Sequence, residues 1–263
     1  MNFLQFVPRP TLVPFVECYW MAEGCKTFSQ QIIPDGYSEM IFHYGDPYLR
    51  ETSTARAVQQ PLAIVAGQIT QPLFIRPTGI TAIFGVKFKP TGFWKLFGVN
   101  MKEICNAAIS VDEVTGIDTN AIIHALQTAT SVDQRILVEN FLMKHAQQAR
   151  VSKVDFFVES IVKNPGQSPV ARLCKDENIS LRKVERMFNE SVGISAKVFM
   201  RLQRFNRIYK LLQQDKMSKA GAAYVCGYFD QSHFNRDFRI FSGEDPGTWF
   251  SKSHVFSDFF MSR

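Results

Sequence analysis

Hydrophobic and polar positions change their rhythm about a third of the way along this chain. Up to about residue 90 the apolar residues come in short runs: FVECYWMAE, SEMIFHY, LAIVAGQI, PLFIRP and TAIFGVKFKP. These runs are rich in β-branched and aromatic residues and are separated by PDGY, YGDPY, RPTG and KPTG, the pattern of strands joined by tight turns. In SEMIFHY, Met40, Phe42 and Tyr44 fall on one face, and Glu39, Ile41 and His43 on the other. That alternation predicts a half-buried strand of an antiparallel sheet or barrel.

From about residue 91 the period lengthens. TGFWKLFG, TNAIIHALQTA and SVDQRILVENFLMKHAQQ read as helices, the last with Ile136, Leu137, Phe141 and Leu142 together on its apolar side. The polar stretch QQARVSK, residues 147–153, marks a seam. It divides the chain into a β-rich domain with C-terminal helices, 1–150, and an all-helical domain, 151–263. The second part opens with VSKVDFFVESIVKN, where Ser152 is placed to cap, and VARLCKDEN. Ser180 then precedes LRKVERMFNESVG, Ser195 a long helix, AKVFMRLQRFNRIYKLLQQ, and Ser218 KAGAAYVCG. A side-chain oxygen at these points can accept from the free N–H groups of the first turn. DQSHFNRDFRIFSG follows, and DPGTWF begins a short last helix.

One unit occurs twice in this helical part. A short helix of small and apolar residues is followed by a turn and an amphipathic helix with internal aromatics, the texture of a helix-turn-helix. In the first amphipathic helix Leu181, Val184 and Phe188 are expected inside, while Arg182, Glu185, Arg186 and Asn189 stand out. In the second, Phe234, Phe238 and Phe241 are expected inside, while Ser232, Asn235, Arg236 and Arg239 stand out at the same spacings, with Gln231 at the start. Arg bridges guanine O6 and N7, Asn or Gln grips adenine, and Glu accepts from cytosine. A polar stripe is also the ordinary outer face of any surface helix; two matched stripes favour double-stranded DNA as the partner.

Charge strengthens that reading. The chain of 263 residues carries a net charge of +6. Residues 1–150 hold 12 Lys and Arg against 12 Asp and Glu, and residues 151–263 hold 18 against 12, so the whole excess lies in the helical part. That asymmetry suits a polyanion. The five cysteines form no CxxC pair or Cys/His cluster, and no metal or other cofactor is expected. His43, His124 and His145 include no HxH pair, and no GxSxG, P-loop or GxGxxG occurs, which argues against an enzyme. No apolar run approaches the ~20 residues of a membrane span. The start, MNFLQFVPRP, lacks the pattern of a secretory signal, and a cytoplasmic location is expected.

Residues 155–252 resemble the DNA-binding domain of the AraC/XylS family of bacterial transcription regulators. GYFDQSHFNRDFRIFSGEDPGTWF carries the clearest likeness, through Gly227, Tyr228, Gln231, Phe234, Arg236, Phe238, Gly243, Pro246 and Trp249. Ser180, Leu181, Val184, Phe188, Gly193, Ser195 and Arg204 fit in the first half. Gly247 and Thr248 depart from it, since polar helix formers are more usual there. The resemblance implies two helix-turn-helix units joined by a long helix. It places base contacts at Arg182, Glu185 and Arg186 and at Gln231, Ser232, Asn235 and Arg236, with RNA polymerase and a second copy of the chain as further partners. IIPDGYSEMIFHYG and FGVKFKPTGFWKLFG resemble, less specifically, a cupin-like sensor. The implied fold class is α+β: a cupin-like barrel with flanking helices, then an all-α domain. A small-molecule effector would sit inside the barrel, near Trp20, Tyr37, Glu39 and His43. Two alternatives stay open: a first domain that only dimerises, and a cupin-like enzyme fused to a DNA-binding domain.

Overall fold

The computed structural model describes residues 2–25, 29–52, 55–146, 149–165, 170–214 and 217–261; residues 147–148 of the expected seam lie outside these. Nine strands come first: β1 (Asn2–Phe6), β2 (Val16–Cys25), β3 (Gln30–Ile32), β4 (Ser38–His43), β5 (Tyr48–Thr52), β6 (Ala55–Gln59), β7 (Ala63–Ala66), β8 (Leu73–Pro77) and β9 (Ile80–Phe88). Helix α1 (Gly92–Phe97) and strand β10 (Ala108–Ser110) follow, then helices α2 (Val111–Thr115), α3 (Asn120–Thr128) and α4 (Ser131–Ala146). The pairing is antiparallel and makes two sheets, β1-β2-β9-β4-β7-β10 and β3-β8-β5-β6.

The alternation in β4 decides which face meets what. Met40 and Phe42 are fully buried and pack with Phe84, Phe88, Phe93, Val138 and Leu142 in a core beneath the helices. Glu39, Ile41 and His43 point the other way, toward a space between the sheets. Both faces of the strand are thus covered, where sequence alone predicted one. Register explains a second feature: Trp20 lies opposite Gly85. A Cβ on Gly85 would sit 2.1 Å from Trp20 Cε2, so only glycine lets the indole cross the strand.

On α4 the buried residues are Gln134, Val138, Glu139 and Leu142, while Ile136 is exposed, contrary to the sequence expectation. The two polar residues are inside because they are paired. Gln134 Nε2 donates to the Leu126 carbonyl (2.7 Å), and Glu139 accepts from Arg9 Nε (2.9 Å) and from the Arg9 backbone N–H (3.0 Å).

The remaining helices are α5 (Val154–Lys163), α6 (Val170–Asp176), α7 (Leu181–Ser191), α8 (Ala196–Gln213), α9 (Lys219–Val225), α10 (Gln231–Ser242), α11 (Pro246–Trp249) and α12 (Val255–Met261). Ser180, Ser195 and Ser218 each accept a backbone N–H from three residues on, as N-caps do. Ser152 accepts from Val154 N, but the cap position falls one residue later, on Lys153. Phe188, Phe199, Phe205, Tyr209, Phe238 and Trp249 fill a second core. Helix α12 was not anticipated: its Phe256 packs with Trp20, Tyr48 and Ile83, residues of the strands.

Candidate functional site

Two surfaces and one cavity gather the candidate groups. Helices α6 and α7 form one helix-turn-helix unit, α9 and α10 the other, and α8 runs between them. In α7, Val184 and Phe188 are buried, and Arg182 and Arg186 are exposed. Leu181 is 50% exposed, because it opens the first turn and has no helix above it, and the expectation that it turns inward fails. Glu185 is half-buried, and its Oε2 accepts from Ala196 N (3.0 Å), at the start of α8. One oxygen of the expected cytosine reader therefore serves as a cap. Asn189 donates to the Glu185 carbonyl (2.8 Å).

Helix α10 is capped by Asp230, whose Oδ1 accepts from His233 N (2.6 Å). Phe234, Phe238 and Phe241 are buried. Gln231, Ser232, Arg236 and Arg239 are exposed and Asn235 half-buried. Ser232, Asn235, Arg236 and Arg239 line one concavity of about 370 Å³. Arg239 is paired with Asp245 (2.6 Å), while Arg236 has no ion-pair partner among the described residues. Buried Asp237 anchors the helix from behind, its Oδ1 accepting from Arg201 Nη2 (2.7 Å) and Nε (3.1 Å).

The C-terminal ends of both helices are bonded by the sheet domain. Such ends carry carbonyls with no partner in the helix. Met101 N donates to the Glu190 carbonyl (2.8 Å) of α7, and Gln31 Nε2 to the Ser242 carbonyl (2.7 Å) of α10.

Between the two sheets lies a cavity of about 100 Å³. Trp20, Tyr37, Glu39 and His43 all line it, so the four residues singled out from sequence meet around one space. Trp20 Nε1, Glu39 Oε1 and both His43 ring nitrogens are inaccessible and have no close hydrogen-bond partner among the described residues, although Trp20 acts on Glu39 and Gln60 on His43 from slightly farther away. Burial depresses the His43 pKa to about 4, so the ring is neutral at pH 7. Glu39 keeps some accessible surface, which lines the cavity. Burial pushes its pKa up to about 8 against the opposing pull of Lys87. For the Lys87 ammonium burial acts downward, but Asp35 and Glu39 more than offset it, and its pKa is raised. Lys87 pairs with Asp35 (2.5 Å), and burial favours a proton on Glu39 beside that pair.

Sequence reasoning missed what seals this cavity. Phe256, Ser257 and Phe260 of α12 line it, with the Phe260 ring edge-on to Trp20 at 5.0 Å. Ser257 Oγ donates to the Gln31 carbonyl (2.7 Å), and Lys87 Nζ approaches the Phe260 carbonyl (3.5 Å). The aromatic spacing of VFSDFFM was the only available signal. Among the described residues no group of three or more His, Cys, Asp or Glu side chains is placed to hold a metal ion, and no helix is long and apolar enough to cross a membrane.

Residues 173–252 match a family described as a helix-turn-helix domain, and residues 4–110 match a domain of unknown function, DUF6597. No curated protein matches the chain by sequence. Among solved structures, ToxT from Vibrio cholerae (1.65 Å, P21 form) is similar with a TM-score of 0.50 at 10% identity, over 95% of this chain and 98% of that one. ToxT bound to (E)-4-(8-methylnaphthalen-1-yl)but-3-enoic acid is similar with a TM-score of 0.50 at 10% identity, over 99% and 100%. At that identity the likeness is one of fold.

Proposed function

We infer that the chain is a DNA-binding transcription regulator of the AraC type, with its helix-turn-helix domain at the C-terminus and a sheet domain before it. Helices α7 and α10 read the major groove. In the first, Arg182 and Arg186 are the base readers, with Asn189 and the remaining Glu185 oxygen beside them. In the second, Gln231, Ser232, Asn235 and Arg236 read bases, and Arg239 meets phosphate once released from Asp245. The observation that carries this reading is the pair of capped helices, one with Val184 and Phe188 buried and the other with Phe234, Phe238 and Phe241, each with exposed hydrogen-bonding groups on the opposite side. The division at residue 150 follows the same reading: one part senses, the other binds.

The sheet domain holds a small effector in the cavity around Trp20, Tyr37, Glu39 and His43. The carboxylic acid held by ToxT supports a ligand role for this fold. With α12 in place the space of about 100 Å³ is smaller than the ~150 Å³ that holds benzene, so the ligand has few heavy atoms or displaces the helix. A cytoplasmic location, and RNA polymerase and a second copy as partners, belong to the same proposal on the strength of the family.

Selection of bound duplexes from a random pool gives the operator, on which Arg236→Ala should cost about 1–3 kcal/mol. An equal loss on random DNA would make Arg236 a phosphate contact. Failure of the intact protein to enrich any sequence would overturn the reading.

A further inference from the structure

The outer face of α7 is one wall of a larger cleft, and the opposite wall belongs to the sheet domain. The cleft encloses about 720 Å³. Arg182, Lys183, Arg186 and Asn189 line it from α7, and Asn100 and Lys102 line it from the segment after α1. Lys102, Arg182, Lys183 and Arg186 are all exposed, and none is ion-paired among the described residues. Exposed Arg150 stands behind this wall, its guanidinium 5.6 Å from the ring centre of Trp94, another lining residue. Glu190 is the acidic residue of the lining.

The far wall is built to hold its place. The Met101 N–H bonds the last turn of α7, and Met101 is fully buried. Gly193 adopts φ +95°, and a Cβ there would lie 2.8 Å from the Met101 carbonyl oxygen. Glycine thus permits a close approach that fixes residues 98–103 against the recognition helix. Within the segment, Asn100 Oδ1 accepts from Lys102 N (3.3 Å) and Asn100 Nδ2 donates to Glu103 (2.8 Å), so the turn is ordered and the Lys102 ammonium is left free.

The geometry points to a composite DNA site, in which Lys102 of the sheet domain contacts the phosphate backbone of the duplex that α7 reads. This rests on the DNA-binding reading above and adds a second domain to it. A duplex seated on Arg182 and Arg186 carries its backbone past the flank of α7, where the cleft opens. Duplex DNA presents one negative charge for each ~1.7 Å of axis, and four unpaired cations with one carboxylate among them match that charge. The sheet domain would then contribute to affinity without reading sequence, since phosphate contacts position a protein but do not specify bases.

The test is binding of the full chain to a random-sequence 30-bp duplex across salt concentration. One phosphate contact contributes about −0.9 to the slope of log K against log [salt]. Lys102→Ala should therefore flatten the slope by about that amount. Its deficit against the unmodified protein should shrink by about 3.5-fold between 50 and 200 mM salt. Lys102→Glu should bind still more weakly, while Arg56→Ala, on β6 in the other sheet, should change neither affinity nor slope. Unchanged binding by Lys102→Ala overturns the proposal. So does tighter binding, which would mean that this segment shields α7 from DNA. If the unmodified chain shows no salt-dependent binding to any duplex, the DNA-binding reading itself fails, a result distinct from either.

Discussion

Glu39→Gln removes one buried titration from the protein. In the folded chain the Glu39 pKa is raised by burial from 4.5 to about 8. The folded state then holds this proton more tightly than the unfolded one between those values. The contribution to stability is full below about 4.5 and is lost as the pH rises through about 8. At about 1.36 kcal/mol per pKa unit, the difference in proton binding integrates to about 4 kcal/mol between pH 5 and pH 8.5. Gln keeps the shape and the hydrogen-bonding capacity of the protonated acid but cannot ionise. Urea unfolding of both proteins, followed by tryptophan fluorescence at several pH values, should show near-equal stability at pH 5. At pH 8.5 the variant should be more stable by about 4 kcal/mol. Titrations of groups that Glu39 does not act on cancel in the difference, while Lys87, which it does act on, contributes to it. A gap between the two proteins that stays constant with pH would refute the argument, because Glu39 would then ionise alike in both states.

His43 has the opposite sign: its pKa is lowered from 6.5 to about 4, so its stabilising contribution is present above about 6.5 and lost on acidification. Acid should cost the wild type about 3 kcal/mol that His43→Gln does not lose, read from the difference between their unfolding curves at pH 4 and pH 7. Gly85→Ala should destabilise by about 1–3 kcal/mol and shift the Trp20 emission, because the new Cβ would meet the indole at 2.1 Å. Arg201→Met leaves Asp237, 2% exposed, without its cation, and should cost about 3–5 kcal/mol in chemical denaturation.

Local signals were legible, and tertiary ones were not. Ser180, Ser195 and Ser218 announced their helices because capping is settled within three residues. Phe234, Phe238 and Phe241 announced the inner face of α10 through spacing alone. Alternation in β4 put Glu39 and His43 on one face, which is how both reached the cavity. The burial of Glu139 was not legible because its partner, Arg9, lies 130 residues away, and no pattern within α4 encodes that pairing. Glu185 looked like a free reader of bases for the same reason, since Ala196 becomes its neighbour only when α8 turns back. Lys102 carried no signal, and it acquires one only when residue 101 docks on residue 190.

Besides the bond from Asn206 of α8 to the Asp35 carbonyl (2.6 Å), three separated contacts between the sheet domain and the helical domain are the places where the proposed effector would be felt. Met101 bonds the end of α7, Gln31 bonds the end of α10, and α12 is held from both sides. On one side, Phe256 and Phe260 complete the cavity wall. On the other, Asp258 Oδ1 accepts from Tyr209 (2.8 Å) and Gln213 (3.2 Å) of α8, and Tyr209 in turn accepts from Trp249 Nε1 (3.1 Å). Helix α12 has only seven residues, which leaves Asp258 within two positions of both phenylalanines. A ligand larger than the cavity must push those rings out, and a short rigid helix cannot yield there without disturbing its bonds to α8. Because α8 joins the two helix-turn-helix units, the rings that would meet the proposed effector and the carboxylate that bonds α8 are neighbours on one helical turn. Gln31 adds to this, since it accepts from Ser257 through its carbonyl and donates to Ser242 through its side chain. Loss of the α12 contact therefore leaves Gln31 held by the β3–β8 ladder and its bond to the end of α10.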